Sequence, residues 1–188
     1  MGKDLAEKFP SAPALLAGLL AVCGADQPST QGVAMNIQIT STAFADGQPI
    51  PAKFTCDSSD VSPALGWTGA PAGTKSFALI ADDPDAPVGT WVHWVVYDLP
   101  AGTTSLPGNV SKSQHILGTA KQGVNDFKRI GYGEPCPPPG KPHHYFFKVY
   151  ALDTMIDLKP CATKADVLNA MEGHVLAQGQ LMGTYKRQ

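Results

Sequence analysis

At 188 residues the chain has the length of one well-buried domain and is short for two. Hydrophobic residues make up 43% and charged residues 16%, a globular composition, and a net charge of −2 leaves no basic footprint for nucleic acid or an anionic membrane surface. The 19 glycines and 17 prolines are spread along the chain with no internal repeat, which suits turns between short strands and excludes a collagen-like or linker segment.

The first segment is read apart from the rest. "APALLAGLLAVCGA" (Ala12–Ala25) is an apolar run with the length of a signal-peptide core and too short to span a bilayer. "LAVC" ending at Cys23 resembles a lipoprotein attachment box, although Val22 sits where a small residue is wanted, and Lys3 and Lys8 are offset by Asp4 and Glu7. Residues 1–34 are therefore expected to be an export segment, cleaved after Ala25 or lipid-anchored, which puts the domain of residues 35–188 in the periplasm or another extracytoplasmic space. The alternative is a disordered extension ahead of a start at Met35 and a cytoplasmic protein. No transmembrane segment is expected.

From Met35 the chain reads as strands. "NIQITSTAF" alternates apolar and polar residues, and "DGQPIP" follows as a turn. "KSFALIADD" is a strand ending in acidic turn residues. "TWVHWVVYDL", rich in aromatic and β-branched side chains, fits a strand covered on both faces. "PAGTTSLPGN" reads as loop, and "HYFFKVYALD" as another strong strand between "PCPPPGKP" and "TMIDLKP". A helical period enters only near the end. "TKADVLNAMEGHVLAQGQL" (163–181) sets Val167, Leu168, Met171, Val175 and Leu176 on one stripe, with Thr163 and Asp166 placed to cap its start. The expected fold is mostly β and antiparallel, with one helix at the C-terminal end.

Side chains alternate along a strand, so Trp91, His93 and Val95 are expected on one face and Val92, Trp94 and Val96 on the other. By the same rule His143 and Tyr145 point together and His144 points away. Asp83 and Asp85 precede the first of these strands. Of the four cysteines, Cys23 belongs to the leading segment, which leaves Cys56, Cys136 and Cys161 and thus at most one bridge. No cysteine or histidine pair has zinc-site spacing, so no metal is expected. There is no GxSxG elbow, HExxH or phosphate-cradling GxxxxGK[ST], and no serine or cysteine is obviously placed beside a histidine as a nucleophile.

"DDPDAPVGTWVHWVVYDLPAGT", followed by "NDFKRIGYGEPCPPPGKPHHYFFKVYALD", resembles the phosphatidylethanolamine-binding protein (PEBP) family, closest to its bacterial Raf-kinase-inhibitor-like branch. "CDSSDVSPALGW" and the spacing between blocks fit as well, and the likeness runs from about Asn36 to Tyr185. The resemblance implies a PEBP-like fold, with a large central antiparallel sheet, a smaller flanking sheet and a C-terminal α-helix. It implies a small anion-binding pocket built from Asp83, His93, the loop of Glu134, Pro135, Cys136, Pro137 and Pro138, His143 and Tyr145. Asp85 and Pro87 shape its wall, with a cis bond before Pro87, and Tyr185 in "GTYKR" closes it. The chain departs from the pattern at Glu134 and Pro135, where small residues are frequent. Pro139 replaces a common lysine and His144 a common arginine.

In such a pocket imidazoles, a tyrosine hydroxyl and loop N–H groups would hold phosphate or carboxylate oxygens, and Asp83 would fix an imidazole tautomer. The implied function is a binding protein for a small anionic ligand such as phosphate, phosphoethanolamine or a carboxylate. It needs no cofactor and is not an enzyme, and the family leaves room for modulation of a kinase or another enzyme. An inhibitor module independent of the pocket is the alternative, and a weak hydrolase built on the aspartate, histidines and tyrosine comes third. A protein partner of unknown identity, or a second copy forming a homodimer, stays open. For an exported protein, a Cys56–Cys136 bridge between loops beside the family motifs would close a long loop and stiffen the proline-rich rim, worth about 4 kcal/mol. Cys161 would then remain single; in a cytoplasmic protein all three would be free thiols.

Overall fold

The structure, a computed structural model, describes residues 37–187. The expectations for residues 1–34 lie outside the described residues. In chain order the elements are β1 (Gln38–Ser41), a single 3-10 turn (Ala52–Phe54), β2 (Leu65–Thr68), β3 (Ser76–Asp83) and β4 (Trp91–Pro100). Then follow β5 (Ser105–Leu106), β6 (His115–Ile116), β7 (Ala120–Gln122), β8 (His143–Leu152), α1 (Lys164–Met171) and β9 (Val175–Tyr185). β1, β2 and β5 form a small antiparallel sheet, and a six-stranded antiparallel sheet runs β6-β7-β4-β3-β8-β9.

The large sheet is covered on both faces, so its central strands carry apolar side chains in both directions. All eight residues of β3 are buried. Phe77, Leu79, Trp94 and Val96 pack toward the small sheet, against Ile39, Leu65 and Trp67. Ala78, Ile80, Val95 and Tyr97 pack toward the helix, against Val167 and Met171. Asp82, 1% exposed, is a charge inside this second layer. It is stabilised by Lys148 at 2.8 Å from β8 and Lys164 at 2.5 Å from the first turn of α1, an ion-pair triad that ties the helix to the sheet.

The helix is shorter than its period predicts. Thr163 and Asp166 form the expected capping box, with Asp166 Oδ2 accepting from the Thr163 N–H at 2.8 Å. The helix stops at Met171. Gly173 adopts a left-handed φ of 78°, and the chain returns as β9. Val175 and Leu176 continue a helical stripe only by coincidence. From Ala177 to Tyr185 buried residues alternate strictly with more exposed ones, the period of a strand.

β9 is the margin of the large sheet, and the preceding chain crosses its free side. Ile50 N–H donates to the Thr184 carbonyl (2.7 Å), Thr184 N–H to the Gln48 carbonyl (3.0 Å) and Gly47 N–H to the Met182 carbonyl (2.8 Å). Met182 N–H donates to Asp46 Oδ1. The stretch "PAGTTSLPGN", read as loop, holds the two-residue β5. Cys56 and Cys136 are bonded, with Cα atoms 5.3 Å apart, and Cys161 is free and exposed. Among the described residues no helix is long and apolar enough to cross a membrane.

Candidate functional site

The strict alternation expected along β4 fails at two points, near Asp98 and at His93, and the second aims a histidine. Ala81 pairs with Trp94, but the next residue, Asp82, pairs with Val92, so His93 has no opposite number on β3. This β-bulge inserts one residue and reverses the face of everything beyond it. His93 and Trp94 therefore share a side, and Val92 and Val95 both lie in the helix-side cluster. The expected grouping of Trp91 and His93 with Val95, and of Val92 with Trp94 and Val96, is corrected accordingly.

His93 is 4% exposed. Its ring packs edge-to-face against Phe127 and Tyr145, with centroids 5.5 and 5.2 Å away. Nδ1 lies 2.8 Å from the Gly133 carbonyl, an acceptor, so this nitrogen carries the hydrogen. The Gly133 N–H returns a bond to the His93 carbonyl at 2.8 Å, which locks strand and loop together. Burial lowers the His93 pKa below its ordinary 6.5, outweighing the Gly133 bond and the Asp83 charge that act to raise it. The ring is neutral near pH 7, with Nε2 a lone pair.

Asp83 ends β3, 3% exposed, with both oxygens engaged. Oδ1 accepts the Asp85 N–H and Oδ2 accepts Nδ1–H of His143, each at 2.8 Å. His143 is thereby held with Nε2 as its remaining nitrogen, and that nitrogen has no hydrogen-bond partner among the described residues. Tyr145, two residues along β8, is 2% exposed and its hydroxyl is buried with no partner. Burial, then the nearby Asp83 charge, push its pKa far up, so it stays a phenol and a donor.

Asp83, His93, His143 and Tyr145 line one hollow of about 220 Å³. Its wall is completed by Cys136, Pro137 and Pro138 on one side and by the Ala86–Val88 turn on the other. Trp91 and Phe127 close it with an edge-to-face pair 5.4 Å apart. Trp91 and Phe127 were not singled out from the sequence. Trp91 was within reach, since it lies two residues before His93 on the same face, and its indole N–H is a second buried donor without a partner.

Four expected residues lie outside this lining. Asp85 turns to β8, where its Oδ2 accepts the His144 N–H at 2.8 Å and Nδ1 at 2.6 Å, and His144 holds the carboxyl below its ordinary range. It fixes the rim and does not face the hollow. Burial would raise Glu134, but hydrogen bonding with the neighbouring Asp60 carboxyl and the Arg129 guanidinium at 3.0 Å outweigh it and hold the carboxyl low. The departure at Glu134 thus adds no carboxylate to the cavity. Pro135 is buried beneath the loop and its carbonyl accepts from Cys56 N–H at 3.1 Å. Tyr185 stands opposite His143 in the β8–β9 ladder, but its hydroxyl donates to the Asp57 carboxylate. Among the described residues no lysine or arginine lines the hollow, and no cluster of three His, Cys, Asp or Glu side chains is arranged to hold a metal ion.

A family model described as phosphatidylethanolamine-binding protein matches residues 40–186. A UPF0098 protein of Aquifex aeolicus is 50% identical over 153 residues, covering 80% of this chain and 89% of that one. A UPF0098 protein of Methanothermobacter thermautotrophicus is 48% identical over 151 residues, covering 80% and 99%. Among solved structures, Escherichia coli YbcL, described as a new member of the mammalian PEBP family, superposes with a TM-score of 0.76 at 37% identity, covering 81% of this chain and 99% of that one.

Proposed function

The chain belongs to the phosphatidylethanolamine-binding protein family, a ligand-binding family, and from that premise we propose that it binds a small phosphate- or carboxylate-bearing molecule in the hollow between Asp83, His93, His143 and Tyr145. The observation that carries this reading is the Tyr145 hydroxyl, a buried donor with no partner inside a cavity beside two histidines that each have a nitrogen to spare. Buried polar groups are almost always satisfied, so such a group is a place for a ligand oxygen. At about 220 Å³ the space is smaller than the roughly 300–1,000 Å³ of sites for drug-sized ligands, which favours a head group over a whole lipid. Trp91, Phe127, Pro137 and Pro138 would shield the polar contact from water.

Titration with inorganic phosphate, acetate and phosphoethanolamine, followed on the imidazole NMR signals, tests the reading. His93 and His143 should shift with saturation. Tyr145→Phe, which removes one oxygen and keeps the shape, should weaken binding by about tenfold, the worth of one hydrogen bond of roughly 1.4 kcal/mol. Shifts confined to the exposed His144 and His174, or affinity untouched in Tyr145→Phe, would contradict it.

A further inference from the structure

The charge and hydrogen count of the hollow pose a problem for any anion. The one formal charge on its lining that does not depend on a histidine is that of Asp83. Both imidazoles have Nδ1 committed to acceptors, His93 to the Gly133 carbonyl and His143 to the Asp83 carboxylate. The hydrogen of each neutral ring is therefore used, and each Nε2 presents a lone pair. The expectation that these imidazoles act as donors fails for their neutral forms. A phosphate or carboxylate entering such a hollow would meet one buried carboxylate, two lone pairs, two neutral donors in the Tyr145 hydroxyl and the Trp91 indole N–H, and no lysine or arginine. Burying a second negative charge beside the first without compensation is strongly unfavourable.

One further proton resolves this. On Nε2 of His143 it makes an imidazolium clamped between the Asp83 carboxylate and the ligand oxygen, two charge-assisted bonds on one ring. His93, more deeply buried and bonded to a neutral carbonyl rather than a carboxylate, is the poorer place for the charge. Its lone pair is then left to accept from a ligand O–H or N–H. With the proton in place, a singly charged ligand leaves the hollow at one net negative charge, as before it bound. A dianion would leave two.

Resting on the binding reading above, we propose that this hollow takes a singly charged oxyanion, a carboxylate or phosphate ester, together with one proton that goes to Nε2 of His143. The groups that bear on that proton are Asp83 from the end of β3, His93 from β4, and Tyr145 and His144 along β8. Tyr185 lies opposite on β9 with its hydroxyl turned to Asp57, Asp85 sits at the rim bound to His144, and Glu134 is paired with Arg129 behind the loop. Of these only Asp83 contacts His143 as a charge, so the proton's response to the ligand is governed by that pair.

Calorimetric titration with dimethyl phosphate, a monoanion at every working pH, tests this in HEPES and in Tris, buffers of different ionisation enthalpy. Near pH 8 the dependence of the heat on buffer should give an uptake approaching one proton per ligand. Affinity should fall by up to tenfold per pH unit above neutrality, the limit for one linked proton. Methyl phosphate, whose second proton leaves near pH ~6, should lose affinity more steeply, because the ligand also sheds the proton the hollow needs. His143→Gln should abolish the uptake, while Tyr145→Phe weakens binding and keeps it. Binding with no proton uptake from pH 6 to 9, or a preference for the methyl phosphate dianion, would overturn the proposal and leave the binding reading standing. No binding of any oxyanion would remove both.

Discussion

Burial lowers the His93 pKa, and the sign of its effect on stability follows from linkage. The unfolded chain takes up a proton near the ordinary value of 6.5, whereas the folded chain resists protonation of this ring until lower pH. Between those two values the unfolded state holds more protons, so stability is fully present above about pH 6.5 and is lost as the pH falls through this window. His93→Gln, which keeps a donor for the Gly133 carbonyl, should lose less stability than the parent between about pH 7.5 and about pH 5 in urea midpoints. Equal losses would show that His93 does not carry the effect. At this scale the sequence was informative where a motif named the residue, as for Asp83, His93, His143 and Tyr145. It was less so where the outcome depended on which way a side chain turned. Asp85 and Glu134 have carboxylates as suitable as that of Asp83, yet His144 and Arg129 draw them away from the hollow. Nothing in a linear string ranks those competing partners.

Elements with a long apolar run were legible and short ones were not. β3, β4 and β8 are eight or ten residues each, the first two buried on both faces and β8 rich in aromatic residues with one face fully buried, so composition alone marks them. β5 and β6 have two residues each, and they exist only because a neighbour offers a ladder. The bulge at His93 belongs to the same class, since it is a property of the pairing of β3 with β4 and leaves no local mark. β9 was hidden under a helical stripe that its own packing contradicts. A Cβ on Gly179 would come 1.9 Å from the Ile37 carbonyl oxygen, where the chain before β1 lies against the strand. Gly179→Ala should therefore cost roughly 1–3 kcal/mol in chemical denaturation, the range for overpacking a filled site. Gly102, with nothing within 4 Å, is the matched control and should change little on conversion to alanine. Equal effects at the two positions would refute the packing argument.

At the scale of the molecule, the covalent constraint among the described residues is the Cys56–Cys136 bond, which spans 80 residues and fixes the loop that carries Pro137 and Gly133. Closing a loop of that size should stabilise the fold by about 4 kcal/mol in the chain-entropy account. For a domain of this length that corresponds to a melting temperature roughly 10 °C lower in a Cys56→Ala/Cys136→Ala double variant, read by scanning calorimetry. An unchanged melting temperature would mean that the surrounding contacts already hold the loop. The crossing of β9 by residues 46–50 acts at the same scale in another way. An uncovered outer strand is a template onto which a second polypeptide can add, and such growth leads to sheet-mediated aggregates. Here the amides and carbonyls that would guide that addition at Met182 and Thr184 are already spoken for. A second copy approaching β9 at Met182 and Thr184 therefore finds no free ladder group to pair with, and growth of the sheet across that stretch of its border is blocked.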